Sequence, residues 1–222
     1  MNKKSKSVVL AMCIILAVLP FIVTQKAIPA TTLTSCTKTI TGDKDILLVN
    51  YNHKIPLFYT PELMDLDNGE KIDKSIYPDL QKMFNDARVL GLNPKVNSGY
   101  RDQESQKQIM QNYIDDYIKQ GMSKDEAKEE AEKWVAQPGC SEHETGLAVD
   151  IGPSKGCISS RALYAWLKAN SYKYGFILRY PANKKDITRV EGEHWHFRYV
   201  GYEAAKEMHQ TGQCLEEYLG EA

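Results

Sequence analysis

The sequence predicts an α+β domain built on a small antiparallel sheet. Three observations lead there. Apolar residues recur at helical spacing in long blocks, the candidate strands are short and scattered, and no strand is followed by a glycine-rich phosphate loop or by regular βαβ alternation. Composition agrees: of 222 residues, 42% are hydrophobic and 26% charged, which fits a folded domain and excludes a mainly disordered, collagenous or multi-span membrane chain. That length suits a single compact domain with a sizeable core.

Residues 1–30 read as an address. Lys3, Lys4 and Lys6 precede a 16-residue apolar run over 8–23, interrupted only by Pro20. A basic flank and an apolar core of this length form an export signal or a membrane anchor. The run falls short of the about 20 apolar residues of a comfortable bilayer crossing, and Ala30 offers an imperfect cleavage site after Pro29. The body is therefore expected outside the cytoplasm, tied to the membrane if the segment is retained. Residues 1–30 carry four lysines and no acid, which leaves 24 basic against 29 acidic residues in the remainder. A mildly acidic body argues against nucleic acid as partner. Residues 31–45, rich in Thr, Ser and Lys, read as a linker, and residues 46–222 as the folded domain.

Within that domain, the Ile46-Leu47-Leu48-Val49 run predicts a strand, and residues 56–69 an irregular stretch. A helix over 77–90 follows, with Leu80, Phe84, Ala87 and Val89/Leu90 on its apolar face and Gly91 as its stop. A short strand covers 96–100. From Asp102 the pattern turns helical, with Ile109, Tyr113 and Tyr117 in register until Gly121. Ser123-x-x-Glu126 is a capping box that starts a second helix, ending before Pro138, whose charge run is a solvated face. A helix over 159–170 should bury Leu163, Trp166 and Leu167. Short strands are expected at 147–151, 176–179 and 196–200, and a closing helix from Tyr202.

Four cysteines fall in the exported body: Cys36, Cys140, Cys157 and Cys214. Outside the cytoplasm they can pair in three ways. Cys140–Cys157, which bracket a motif described next, and Cys36–Cys214, near the two ends, are the favoured pairs. Zinc thiolates lack support, because no Cys-x-x-Cys pair exists.

Three of five histidines sit in two segments dense in polar groups: Ser141-Glu142-His143-Glu144-Thr145-Gly146-Leu147-Ala148-Val149-Asp150 and Glu191-Gly192-Glu193-His194-Trp195-His196. A hydrolytic zinc site needs three imidazole or carboxylate ligands and one position open to water. His143, Asp150 and one histidine of the second segment would supply them. Gly146 permits the turn, and the apolar alternation of Leu147, Val149 and Ile151 fixes Asp150 on a strand. Glu193 is the candidate for moving a proton. Strict alternation would put Glu193 and His196 on opposite faces, so both can reach one site only if the chain bends or bulges near His194 and Trp195. Spacing alone does not choose between His194 and His196. His53 and His209 read as structural or surface residues, and Glu142 and Glu144 as solvated.

Four blocks then match a known family in order: Ser98-Gly99-Tyr100-Arg101 with Gln106; Ser141-x-His143-x-x-Gly146-x-Ala148-x-Asp150; Tyr174-Gly175-Phe176-x-x-Arg179-Tyr180-Pro181; and Glu193-x-Trp195-His196-x-Arg198-Tyr199-Val200-Gly201. The chain resembles the VanY-type zinc D-alanyl-D-alanine carboxypeptidases of the LAS group of peptidoglycan peptidases, over residues 48–219. The resemblance implies the LAS/hedgehog-like zinc peptidase fold, Zn2+ held by His143, Asp150 and His196, and Glu193 as catalytic base. It places Arg101 at the substrate, with Gln106, Ser141 and Tyr180 lining the pocket and Trp195 packing beside them. Two positions depart from the family: His194 stands where Pro is frequent, with consequences for the bend that aims Glu193, and Arg189 where Gly is common, at the pocket edge.

The activity implied is hydrolysis of the C-terminal D-Ala-D-Ala bond of peptidoglycan stem peptides by a monomer, with a contribution to glycopeptide resistance. An L,D-carboxypeptidase or a peptidoglycan endopeptidase on the same scaffold is the alternative, because pocket shape decides substrate. A non-catalytic, zinc-containing wall-binding module is the alternative of another class.

Overall fold

The computed structural model describes residues 46–222, which belong to one structural unit. The leader and linker readings and the Cys36–Cys214 pairing lie outside the described residues. In chain order the elements are β1 (Leu63–Asp65), β2 (Lys71–Asp73), α1 (Tyr77–Val89), β3 (Pro94–Ser98), α2 (Gln103–Lys119), α3 (Lys124–Glu132), β4 (Ala148–Pro153), α4 (Ser160–Asn170), β5 (Phe176–Tyr180), α5 (Lys185–Thr188), β6 (Glu193–Tyr199), α6 (Tyr202–Thr211) and α7 (Leu215–Leu219). β3, β4, β6 and β5 form one antiparallel sheet in that order, and β1 and β2 a small hairpin. This is the expected α+β architecture.

The central sheet has two unlike faces. Val96, Val149, Ile151, Phe176 and Phe197 point to one side and pack against Leu80, Met83, Phe84 and Ala87 of α1 and Leu163 and Leu167 of α4. Period-two alternation then sends Asp150, His196 and Arg198 to the other side. A second apolar cluster, built from Ile177, Ala204, Ala205, Met208 and Leu215, seats α6 and α7. α2 and α3 make a third, from Met110, Ile114, Ala127 and Ala131.

Several local readings change. Residues 46–49 are buried at Leu48 and Val49 but form no strand; the segment is instead fixed end-on, Arg198 donating to the Leu47 carbonyl at 2.7 Å. The stretch expected to be irregular contains β1. On α1, Met83 is buried while Val89 is 84% exposed, because the helix ends there and its last turn leaves the core. On α2 the buried face is Gln106, Met110 and Ile114, about one position round from the one expected. The capping box at Ser123 and Glu126 forms as read. Trp166 of α4 is only partly buried at the edge of the core.

Cys140 and Cys157 are unpaired thiols, which corrects the predicted Cys140–Cys157 bridge. The two thiols sit in different surroundings: Cys140 closes a turn onto the Gln137 carbonyl, next to Lys54 and Glu144, whereas Cys157 closes one onto the Ser154 carbonyl and packs against the main core.

Candidate metal centre

The segment before β4 makes a single 3-10 turn, Glu142–Thr145, with Gly146 closing it in the left-handed conformation at φ +71°. A side chain there would be strained, and its Cβ would lie 2.9 Å from the backbone nitrogen of Asp73. The turn buries His143, and β4 carries Asp150 opposite His196 of β6. Pairing between β5 and β6 then jumps from Leu178↔Phe197 to Tyr180↔Glu193, so β6 contains the expected bulge. The bulge puts Glu193 on the same side as His196, their side chains 3.9 Å apart (Oε2 to Nδ1). His194 does not disturb this bend. It is exposed and packs edge-on against Tyr164 and Trp195.

His143, Asp150 and His196 each offer one ligand atom, all within 4.8 Å of one another. His143 Nδ1 donates to the Gly99 carbonyl at 2.7 Å, which leaves the Nε2 lone pair facing Asp150 Oδ1 at 3.4 Å. His196 presents Nδ1 to the same oxygen at 2.9 Å. One carboxylate and two imidazoles around an open cleft suit Zn2+ and leave a fourth position. Burial alone would raise the Asp150 pKa, but the two imidazoles hold it far below the usual carboxylate range. Burial works against a charged His196, yet Asp150, Glu142 and Glu193 lift its pKa to about 9. A divalent cation competes with that proton, so metal uptake releases it.

Glu193 is buried, and burial pushes its pKa up to about 7, with Asp150 adding to the rise and His196 opposing it. Arg101 reaches the same cleft. Its guanidinium donates to Asp150 Oδ2 at 3.0 Å, to Ser98 Oγ at 2.9 Å and to Gln106 Oε1 at 3.3 Å, and Nη2 lies 3.1 Å from His143 Nε2. Gln106 is buried and donates to the Ala136 carbonyl at 2.7 Å, so it braces Arg101. Ser141 and Tyr180 also line the cleft, the Tyr180 ring centred 5.0 Å from that of His196. All eight residues singled out from the sequence are thus brought together.

Other readings are corrected. Glu142 and Glu144 are buried, not solvated. Glu144 accepts from the Gly139 amide at 2.7 Å, and Glu142 accepts from two arginines. A cleft wall from α2 and the segment after α3, including Ile109, Tyr113, Trp134 and Val135, escaped the sequence reading, because apolar residues in a helical pattern look like core. Arg189 takes the left-handed conformation at φ +58° that favours glycine, which accounts for Gly being common there; its side chain covers Tyr51 at 4.1 Å, and Val190 lines the cleft instead. His53 bonds Asn50 and His209 stacks on Tyr172, as structural residues do.

Gly99 gives a direct test of how tightly the ligands are held. A Cβ on Gly99 would stand 2.1 Å from the Lys71 carbonyl oxygen. Gly99→Ala must displace the backbone carbonyl that orients His143, so it should cost about 1–3 kcal/mol of stability and weaken metal binding together. Thermal melts and metal titration of the variant check this; an unchanged melt would mean that the neighbouring hairpin gives way freely.

A three-ligand His/Asp set, a buried glutamate and an arginine opening on one cleft of an α+β sheet define the class of site: a candidate single-metal centre with a proton-transfer group beside it. The VanY D-alanyl-D-alanine carboxypeptidase family model matches residues 69–202, and the chain belongs to that family. A D-alanyl-D-alanine carboxypeptidase of Enterococcus faecalis is 49% identical over 174 residues, 78% of this chain and 65% of that protein's length. The chain thus spans just under two thirds of that relative. Among solved structures, a vancomycin-resistance D,D-pentapeptidase VanY variant from a VanB-type cassette, in complex with Zn(II), is 48% identical with TM-score 0.77, covering 80% of this chain and 99% of that one. VanYB in complex with D-alanine-D-alanine is 50% identical with TM-score 0.76, covering 78% and 96%.

Proposed function

We propose that the chain is a zinc-dependent D,D-carboxypeptidase that removes the terminal D-alanine of peptidoglycan stem peptides. It acts outside the cytoplasm as a monomer, exported or anchored by residues 1–30, and contributes to glycopeptide resistance. The observation that carries the reading is the convergence of His143 Nε2, Asp150 Oδ1 and His196 Nδ1 beside Glu193. The Zn(II) and D-alanine-D-alanine complexes of the two similar structures support it.

His143, Asp150 and His196 would hold Zn2+, which would supply a Lewis acid to polarise the scissile carbonyl and ease ionisation of a water. Glu193 takes the water's proton and returns it to the leaving amine; a carboxylate with a pKa near neutrality can do both. Arg101, braced by Ser98 and Gln106, offers a fixed positive charge to the substrate carboxylate or to the oxygen that becomes negative. Tyr180 and Ser141 shape the cleft around these groups.

Incubating the zinc-loaded protein with stem pentapeptide and tetrapeptide, then weighing the products, tests the proposal. Loss of one alanine from the pentapeptide alone is expected. Trimming of the tetrapeptide would indicate an L,D-carboxypeptidase, cleavage of cross-linked stems an endopeptidase, and inertness toward all stems a wall-binding module.

A further inference from the structure

We propose that Glu142 is a positioning residue for the metal: through His196 it fixes the imidazole tautomer that leaves Nδ1 free to bind. The proposal rests on the zinc reading above and extends it to a residue outside the ligand set.

Glu142 lies immediately before His143 on the 3-10 turn, and its side chain is fully enclosed. Its two oxygens are used unequally. Oε1 accepts from Arg179 Nε at 2.8 Å and from Arg198 Nη1 at 2.9 Å. Oε2 faces His196 Nε2 at 3.5 Å. Among the described residues, these two facing atoms are the only buried side-chain polar atoms without a hydrogen-bond partner. A buried nitrogen that faces only a carboxylate oxygen is stable as a donor, because two lone pairs set against each other repel. Nδ1 also faces a carboxylate, Asp150 Oδ1 at 2.9 Å, so without a metal both nitrogens can donate; with a cation on Nδ1 the remaining proton would sit on Nε2, where Glu142 Oε2 alone faces it.

The carboxylate is held rigidly in this pose. Arg179 and Arg198 are wholly buried. Arg179 donates its other two nitrogens to Glu216 of α7 at 2.9 and 2.6 Å, and Glu216 also accepts from Asn50 at 3.1 Å. Arg198 is pinned to the Leu47 and Tyr199 carbonyls. With a metal bound, the two ligand histidines would thus sit in opposite tautomers held by different acceptors: His143 by the Gly99 carbonyl, His196 by Glu142.

Glu142→Gln exposes the logic. Both guanidinium donors require an oxygen at the Oε1 position, which forces the amide NH2 to face His196. That reverses the tautomer and turns Nδ1 into an N–H. Zinc affinity, measured by competition with a chromophoric chelator, should fall about 10–100-fold. Glu216→Gln disturbs the same cluster one guanidinium further from the metal, so it should lower the melting temperature yet keep zinc affinity near wild type. Nitrogen-15 spectra of the zinc-loaded wild-type protein need no variant and should show His196 protonated at Nε2.

Equal zinc affinity in Glu142→Gln and wild type would overturn the proposal, as would a His196 proton on Nδ1 in the wild-type spectrum. Equal loss of zinc in both variants would overturn it too, leaving the cluster as scaffolding. Failure of the wild-type protein to bind zinc is a different outcome and sinks the zinc reading itself.

Discussion

Glu193→Ala is expected to lower kcat by about 10²–10⁴-fold, the range of a lost general base, while the protein keeps its zinc. The two halves of this result come from one geometry. The three candidate ligand atoms crowd together without Glu193, whose Oε2 stands 3.9 Å from His196 Nδ1 and is held there by the bulge of β6. Removing it leaves His143, Asp150 and His196 in place. Zinc content by atomic emission and steady-state kinetics on the pentapeptide measure the two quantities separately.

The acid side of the pH profile carries further information. Burial sets the Glu193 pKa at about 7, against the downward pull of His196, and a nearby dication lowers it further. A base must be ionised, so kcat/KM of the wild-type protein should fall as pH drops through a pKa at or below neutrality. The residual rate of Glu193→Ala should lack that limb. Loss of zinc from the variant would make Glu193 a ligand, and substantial remaining turnover would remove it as the base.

Much of this site was legible because its residue types are costly anywhere else. Two polar segments holding three histidines and five acids, beside apolar strand residues, call for a shared partner, and that reasoning reached His143, Asp150 and Glu193 from residue order alone. The choice of His196 over His194 was not available to alternation, which puts both on one side. It is decided by the pairing of Asp150 with His196 and by a bulge that turns His194 outward, both products of tertiary packing. Glu142 was misread for a related reason. As one of several acids in a polar motif it looks solvated, and only the return of Arg179 and Arg198 from strands far along the chain buries it. The available signal was those two arginines, each flanked by apolar or aromatic strand residues, since an inward charge demands a buried counter-charge. The unmade Cys140–Cys157 bridge belongs here as well: flanking one motif in sequence did not bring the two thiols into one environment.

Arg179→Met should destabilise the fold by about 3–5 kcal/mol, the cost of removing one partner from a buried ion pair. For a domain of this size that is a drop of about 6–20 °C in melting temperature. Methionine fills much of the space but leaves Glu216 with Asn50 alone and strips one donor from Glu142. The pH dependence distinguishes lost charge pairing from lost packing. In the wild-type protein, burial would raise the Glu216 pKa, but Arg179 holds it below the usual 4.5. A carboxyl depressed in the folded state contributes stability above its unfolded pKa and loses it as pH falls toward the folded value. Wild-type stability should therefore be insensitive to Glu216 near neutrality and decline in acid. In Arg179→Met the sign reverses, because an unpaired buried carboxylate has a raised folded pKa and is relieved by protonation. The stability gap between the two proteins should thus narrow between about pH 7 and about pH 5. Urea midpoints at both pH values measure it, and a gap that stays constant would mean that Arg179 stabilises through its packed volume and not through its charge.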